Sequence, residues 1–437
     1  MVIMRQPPAG LRFHDIRVVR SAGGGCRENG ADVTVPRTGT TDSRAKRDLG
    51  LCMREPESKR TPSLAYIPSS ANEDTKEARA ERTRFHSSSM KTRLPPFPNS
   101  WFHLAAFSEF KKDEIRSFKF LGHDIIAFKT GDDSVTVMDA YCPHLGAHLG
   151  RDAKGQNNRL KNGCVECPYH HLTFDAEGTC VKGPGQAPAP KAKVFTWETE
   201  IVEGLVFVYH HKDKLPSTWK VSEFFRPEGT WSRPYMSYQG VHPIHPQDAA
   251  ENSVDTLHFR TLHRFDQVDQ VTEAVADRQH FYQTLHIGKM GILPKFMRNV
   301  PIYSVVKEAA VGVGFPMAHN RFHPIGLQVN HLVFLTPIDE TSTNFWFYFQ
   351  VSFSDVKVPR FLQRQKERLD RRLNEHVKRA IDRVVHRAAY TVLSPMFVFI
   401  NSQDLDIWST KSYCDRPIVL GDDGNIHLFR KWCKQFY

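Results

Sequence analysis

Two short clusters, Cys142-Pro143-His144 and Cys167-Pro168-Tyr169-His170, constrain this chain most, because each holds one thiolate former and one imidazole. Read together as C-x-H…C-x-x-H, they suit a [2Fe–2S] cluster with two cysteines on one iron and two histidines on the other. Such a cluster needs two rigid loops, and Pro143 and Pro168 fix backbone φ where the ligands sit. Replacing two thiolates by neutral imidazoles raises the reduction potential, so the cluster acts as a one-electron relay. A competing reading takes Cys164-Val165-Glu166-Cys167 as a C-x-x-C that, with Cys142 and Cys180 or a histidine, builds a structural zinc site.

The surrounding text supplies the loops. From Leu94 to about His211, short alternating segments such as Asp124 to Phe128 and Val135 to Met138 are bounded by turn residues and close on Leu205 to Tyr209. This predicts a small all-β domain over 93–211, both clusters on inter-strand loops eased by Gly146, Gly150 and Gly163. The segment 1–92, rich in Arg, Ser, Gly, Pro and Thr with few apolar clusters, reads as a disordered tail.

Residues 212–437 mix strand text, such as Gly326 to Leu335 and Asn344 to Phe353, with helical text, which predicts an α+β domain. The longest helix is expected from about Pro359 to Val392, where Leu362, Leu369, Leu373, Val377, Ile381 and Val385 recur near helical spacing beside a basic face. A core-facing helix with a solvated charged side is the expectation; a membrane-surface helix is the alternative.

A length of 437 residues allows two or three domains, and eight cysteines without regular disulfide spacing or a signal peptide point to a reducing, intracellular compartment. The net charge of +11 is scattered and not interleaved with aromatics, which argues against nucleic acid as a partner. A basic surface equally suits an acidic electron-transfer partner or an anionic membrane face, and no transmembrane stretch is apparent.

A second constellation runs from Glu251 to His263 and contains Asn252, Asp255, His258 and His263. Two histidines with a distant carboxylate are what a mononuclear non-haem Fe(II) facial triad requires. On a helix, Asp255 and His258 share a face, whereas His263 is turned well away. The helix must therefore distort or end between the two histidines.

The run Asp139 to Gly150, the pattern E-N-x-x-D-x-x-H-x₄-H and the segment Gln403-Asp404-Leu405-Asp406-Ile407-Trp408 resemble the Rieske-type non-haem iron oxygenases. They resemble most its sterol-acting branch, the cholesterol 7-desaturases and 3-ketosteroid 9α-hydroxylases. The likeness covers about Pro95 to Tyr437, and the ending Arg430 to Tyr437 is similar to the desaturases in particular. It implies a small all-β Rieske domain followed by a catalytic domain with an antiparallel, helix-grip-like sheet and helices. It further implies Cys142, His144, Cys167 and His170 as cluster ligands, and His258, His263 and Asp404 as iron ligands, with Asp406 the rival carboxylate. Asp255 is similar to a bridging aspartate that links an iron-ligand histidine to a cluster histidine across a subunit boundary, with Asn252 supporting the site. One departure stands out: where the family reads C-P-x-H-G-W, this chain has His170-His171-Leu172, which also makes His171 a rival ligand.

The resemblance implies an oxygenase that uses O₂ and single electrons to oxidise an unactivated C–H bond of a sterol, foremost cholesterol 7-desaturation. Hydroxylation of a 3-ketosteroid is the alternative, and a pure Rieske electron carrier the remoter one. No G-x-G-x-x-G follows a strand, so NAD(P)H electrons are expected through a separate reductase or ferredoxin. A homotrimer and a peripheral membrane contact complete the expectations. The phenylalanines Phe315, Phe322, Phe345, Phe347 and Phe349 suggest an apolar substrate, or simply a core.

Overall fold

The computed structural model describes residues 94–224, 231–288, 303–357, 361, 363–365, 368 and 371–437. The segment 1–92, expected as a tail, lies outside the described residues.

The first part is all β. Ser100–Ala106 pairs antiparallel with Leu205–His210, which pairs with Thr199–Val202. Ile115–Phe120, His123–Gly131, Ser134–Asp139 and Thr196–Trp197 form a four-stranded sheet, and Val165–Glu166, Thr173–Phe174 and Cys180–Lys182 a small third one. The third sheet is short because its strands mainly brace the ligand loops. Beneath those loops Ile126, Met138, Val165, Leu172 and Phe174 form one apolar cluster with Cys142 and Cys167.

The second part is a seven-stranded antiparallel sheet. In spatial order its strands are Tyr235–His242, Thr343–Ser352, Leu327–Pro337, Pro316–His323, Tyr303–Val311, His280–Ile287 and Val268–Asp277. The strand Thr343–Ser352 is buried along nearly its whole length. Both of its faces are covered, which explains its unbroken apolar text. Trp346 and Tyr348 pack toward Trp101 and Phe207 of the first part and toward Trp219, while Phe345 and Phe347 pack toward Leu405, Trp408 and Phe429. Thr336 Oγ1 donates to the His103 carbonyl at 2.7 Å, and His103 Nε2 lies 3.2 Å from the Tyr348 hydroxyl.

Among the described residues, the helices α1 (Pro246–Ala250), α2 (Leu257–Thr261), α3 (Glu375–Trp408) and α4 (Ile426–Cys433) lie on the other face. The helix expected over Pro359 to Val392 needs correction in position and in burial. Asn374 caps α3, its Oδ1 accepting from Val377 N at 2.9 Å, and the helix continues through Pro395 to Trp408. Of 358–370 the described residues 361, 363–365 and 368 are helical, as expected, but the chain turns at 371–373 before α3 begins. The apolar periodicity of the first half does not face a core, since Val377, Ile381 and Val385 are 40, 42 and 43% exposed. Burial begins at Tyr390 and continues through Phe397, Asn401, Asp404, Leu405 and Trp408. No helix among the described residues is long and apolar enough to cross a membrane.

Helix α4 is docked by Phe429, Trp432 and Cys433, and Arg430 grips Glu251 with two nitrogens at 2.5 and 2.8 Å. That pair ties α4 to the segment that leads into α2.

Candidate metal centres

The two ligand loops are built alike. Cys142 N donates to the Ala147 carbonyl and Gly146 N returns to the Cys142 carbonyl, both at 2.9 Å. In the second loop Cys167 N donates to Leu172 at 2.8 Å and His171 N returns to Cys167 at 3.1 Å. The fifth residue of each loop has left-handed backbone, φ +75° at Gly146 and +60° at His171. Where the resemblance leads one to expect glycine, the backbone still adopts the glycine conformation, with His171 carrying the strain.

The cysteines are buried side by side and the histidines lie nearer the surface. His144 and His170 meet with ring centroids 4.7 Å apart, and Tyr169 packs on His170 at 3.8 Å. His171 turns the other way, its Nδ1 2.9 Å from Glu166 Oε1, which Lys161 also contacts. Leu172 is buried beneath the loop and fills the core there. Burial pushes the Cys142 thiol up to about 11, against the backbone N–H groups of His144 and Leu145 and assisted by Cys167. A metal held by Cys142 would have to displace that proton, and the N–H groups of His144 and Leu145 would stabilise the thiolate. Cys164 and Cys180 do not gather with the pair into a single-ion thiolate set among the described residues.

The second centre assembles from α2 and the far end of α3. Among the described residues, His258, His263 and Asp404 are the only group of three or more such side chains whose donor atoms all lie within 4.8 Å of one another. The helix problem posed by H-x₄-H is solved by termination: α2 stops at Thr261, and Leu262 N and His263 N both donate to the His258 carbonyl, at 2.8 and 3.2 Å. Arg264 at φ +57° then turns the chain away.

Each imidazole is oriented from behind. His258 Nδ1 donates to the Asp255 carbonyl at 2.6 Å and His263 Nδ1 to Gln403 Oε1 at 3.0 Å, leaving both Nε2 atoms as donors to a metal. Asp255 Oδ1 accepts from the backbone of Leu257 and His258, fixing the start of α2. Burial favours protonation of Asp255, but hydrogen bonds and charge from His258 outweigh it and hold the carboxyl below its usual range. Asn252 Nδ2 lies 3.2 Å from His258 Nε2. Asp404 Oδ2 is 3.4 Å from His263 Nε2. Burial depresses His263, yet the Asp404 carboxylate and Gln403 raise its pKa overall. Asp406, two residues on, is exposed.

Reasoning from sequence did not assign Gln403, although it stands beside Asp404 in the Q-D-x-D segment. It also missed His331, whose Nε2 is 3.2 Å from Asn401 Nδ2 and whose pKa burial lowers to about 4. Strand text gives no sign that a histidine faces α3. Phe259 and Phe265 pack on the His263 ring, and Phe259 also on His258. Phe315, Phe345, Phe347 and Phe349 are core residues.

The donor set fits a mononuclear iron. Asp404 Oδ1 is buried without a hydrogen-bond partner, a cost that a cation shared with the two Nε2 atoms removes.

Residues 100–198 match the Rieske [2Fe–2S] domain family, and 208–437 the 3-ketosteroid 9alpha-hydroxylase C-terminal domain family. The chain is 26% identical to cholesterol 7-desaturase nvd of Drosophila melanogaster over 361 residues, covering 78% of this chain and 76% of the relative. It is 22% identical over 366 residues to the oxygenase component of 3-ketosteroid-9-alpha-monooxygenase of Rhodococcus rhodochrous, covering 82% and 88%. Among solved structures, dicamba monooxygenase bound to dicamba superposes with a TM-score of 0.51 at 17% identity, over 78% of this chain and 97% of that one, a likeness of fold. The chain is thus an oxidoreductase of the kind that carries a [2Fe–2S] cluster and a mononuclear iron. The chain belongs to the Rieske-type non-haem iron oxygenases, in the group that carries the 3-ketosteroid 9α-hydroxylase C-terminal domain.

Proposed function

We propose that this oxygenase desaturates a sterol, cholesterol at C7–C8 being the first substrate to test. One observation carries the reading: a buried two-histidine, one-carboxylate site, walled by Phe259 and Phe265, shares a chain with the two cluster loops. Relatives named cholesterol 7-desaturase, matching over three-quarters of the chain, support the substrate class.

We assign Cys142, His144, Cys167 and His170 to the cluster and His258, His263 and Asp404 to the iron. Bound there, the two groups supply single electrons and O₂ activation, respectively. The residues do the rest. Asp255 and Gln403 hold each imidazole in the tautomer that leaves Nε2 free. Phe259 and Phe265, packed on the imidazoles, make their surroundings apolar, which suits an apolar substrate. Asp255 is also our candidate for the electron contact to a neighbouring subunit's cluster, in a homotrimer, because the cluster imidazoles lie toward the surface and Asp255 is partly exposed.

The test is to supply cholesterol, O₂, NAD(P)H and a reductase–ferredoxin pair. A 7,8-unsaturated product is expected. The matched catalytic-domain family favours one second reading, and a hydroxylated product from a 3-ketosteroid would move the assignment there. Oxidation of neither substrate, with the cluster reducible, would refute a sterol role.

A further inference from the structure

His331 is an inward-facing histidine that neither metal centre uses. Phe347 and Phe397 flank its ring at centroid distances of 5.8 and 5.5 Å, and Asn401 Nδ2 meets its Nε2 at 3.2 Å. Asn401 stands three residues before Asp404, so the two side chains share a face of α3 about 4.5 Å apart along its axis. His331 is therefore held within about one helical turn of the carboxylate.

That contact fixes the tautomer. An amide nitrogen only donates, so Nε2 accepts, and the proton of the neutral ring sits on Nδ1. Burial, opposed in part by the Asp404 carboxylate, lowers the ring's pKa to about 4 and keeps it neutral. Nδ1 makes no hydrogen bond among the described residues, yet it is not one of their sealed, unpaired polar atoms, so it faces accessible space.

The space has an apolar floor that leads to the iron site. Directly paired residues of adjacent strands point to one face of a sheet. Ala318 and Phe349 are the two partners of His331, and Phe349 packs on Phe397 of α3. Ala318 and His331 thus point toward the helices, and they are nonetheless only half-buried. Ala318 in turn shares an apolar cluster with Leu285, Val306, Phe259 and Phe265, and the last two pack on the His263 ring. A single fixed donor at the edge of such a run suits an oxygen acceptor on an apolar molecule. Because the donor is uncharged, a hydroxyl or carbonyl oxygen fits it better than a carboxylate, which a cation would serve.

We propose that the Nδ1–H of His331 binds the C3 oxygen of the sterol and so sets which carbon of the skeleton lies against His258, His263 and Asp404. The inference rests on the sterol reading and deepens it. In a sterol the C3 oxygen and C7 belong to adjoining rings, in keeping with a donor one helical turn from Asp404.

The experiment compares equilibrium binding of labelled cholesterol and of cholest-5-ene, the same skeleton without the oxygen, delivered from cyclodextrin to the metal-loaded enzyme without reductant. The parent is expected to prefer cholesterol by about tenfold. His331→Phe, which keeps the ring's bulk, should lose that preference through weaker cholesterol binding, with cholest-5-ene binding unchanged. His331→Gln keeps an N–H at similar reach and should retain a preference that the phenylalanine variant lacks. The cluster's visible spectrum and the iron content verify folding of both. A preference that survives His331→Phe would overturn the proposal and leave the sterol reading standing, as would equal binding of the two sterols by the parent or identical behaviour of the two variants. Binding of neither sterol by the parent would fell the sterol reading and this inference with it.

Discussion

His171 occupies a left-handed backbone position, φ +60°, that Gly146 fills in the sister loop. A side chain there costs about 1 kcal/mol, and its contact with Glu166 is exposed enough to return little. His171→Gly should therefore raise Tm by about 2 °C and leave the cluster's spectrum unchanged; loss of the cluster would instead make His171 a ligand. At the second centre, Asp404→Ala should remove the mononuclear iron and turnover while the brown cluster remains. Asp406→Ala, altering an exposed residue, should stay within about twofold of the parent. Iron retained in the first variant and lost in the second would exchange their roles. The register C-x-x-H pointed to His170 rather than His171, but the sequence could not choose between Asp404 and Asp406. That choice depends on which side of α3 faces α2, a fact of packing. Gln403 was hidden for the same reason, since an amide announces a role only when the ring it orients is near.

At the scale of elements, α4 and the segment before α2 are joined by Glu251 and Arg430, whose side chains are 9% and 13% exposed. Removing one charge strands the other, so Glu251→Gln should cost about 3 kcal/mol, while Glu251→Leu/Arg430→Met should cost markedly less. Thermal unfolding of the two variants checks the order, and equal losses would mean that packing of Phe429 and Trp432, not charge, holds α4. The alternating strands of the first part were legible because one face meets a core and the other water. The α3 boundaries were not. Pro395 reads as a terminator, yet the helix absorbs it, and the repeat of Val377, Ile381 and Val385 was taken for an inward face when it points outward. Periodicity reports that one side differs from the other, not what that side meets.

The whole molecule buries histidines that its metal centres do not use. Burial lowers His103 to about 3, and His210 and His245 to about 4, outweighing in each case the hydrogen bond to a backbone carbonyl. The unfolded chain takes up these protons from about pH 6.5 downward, whereas the folded chain refuses them until about pH 3 to 4. Stability is therefore full above pH 6.5 and is lost as pH falls through that window, by at most about 1.4 kcal/mol per histidine per pH unit. Tm should decline steadily from pH 7 to 5; a flat or rising profile would contradict the burial of neutral rings. His103 sits where the cluster part meets the large sheet, against Tyr348 and Phe334, so acid should loosen that seam early.

Helix α3 runs unbroken from Glu375 to Trp408, with the exposed Val377, Ile381 and Val384 at one end and Asp404 near the other. The two are locked in phase by nothing more than the count of residues between them. One residue inserted near Ala388 would leave Asp404 in place and alter neither charge nor hydropathy, yet it would swing the outer half by about 100°. In this segment, length itself is under structural constraint: point changes can be absorbed one at a time, whereas an insertion or deletion would re-aim the whole arm.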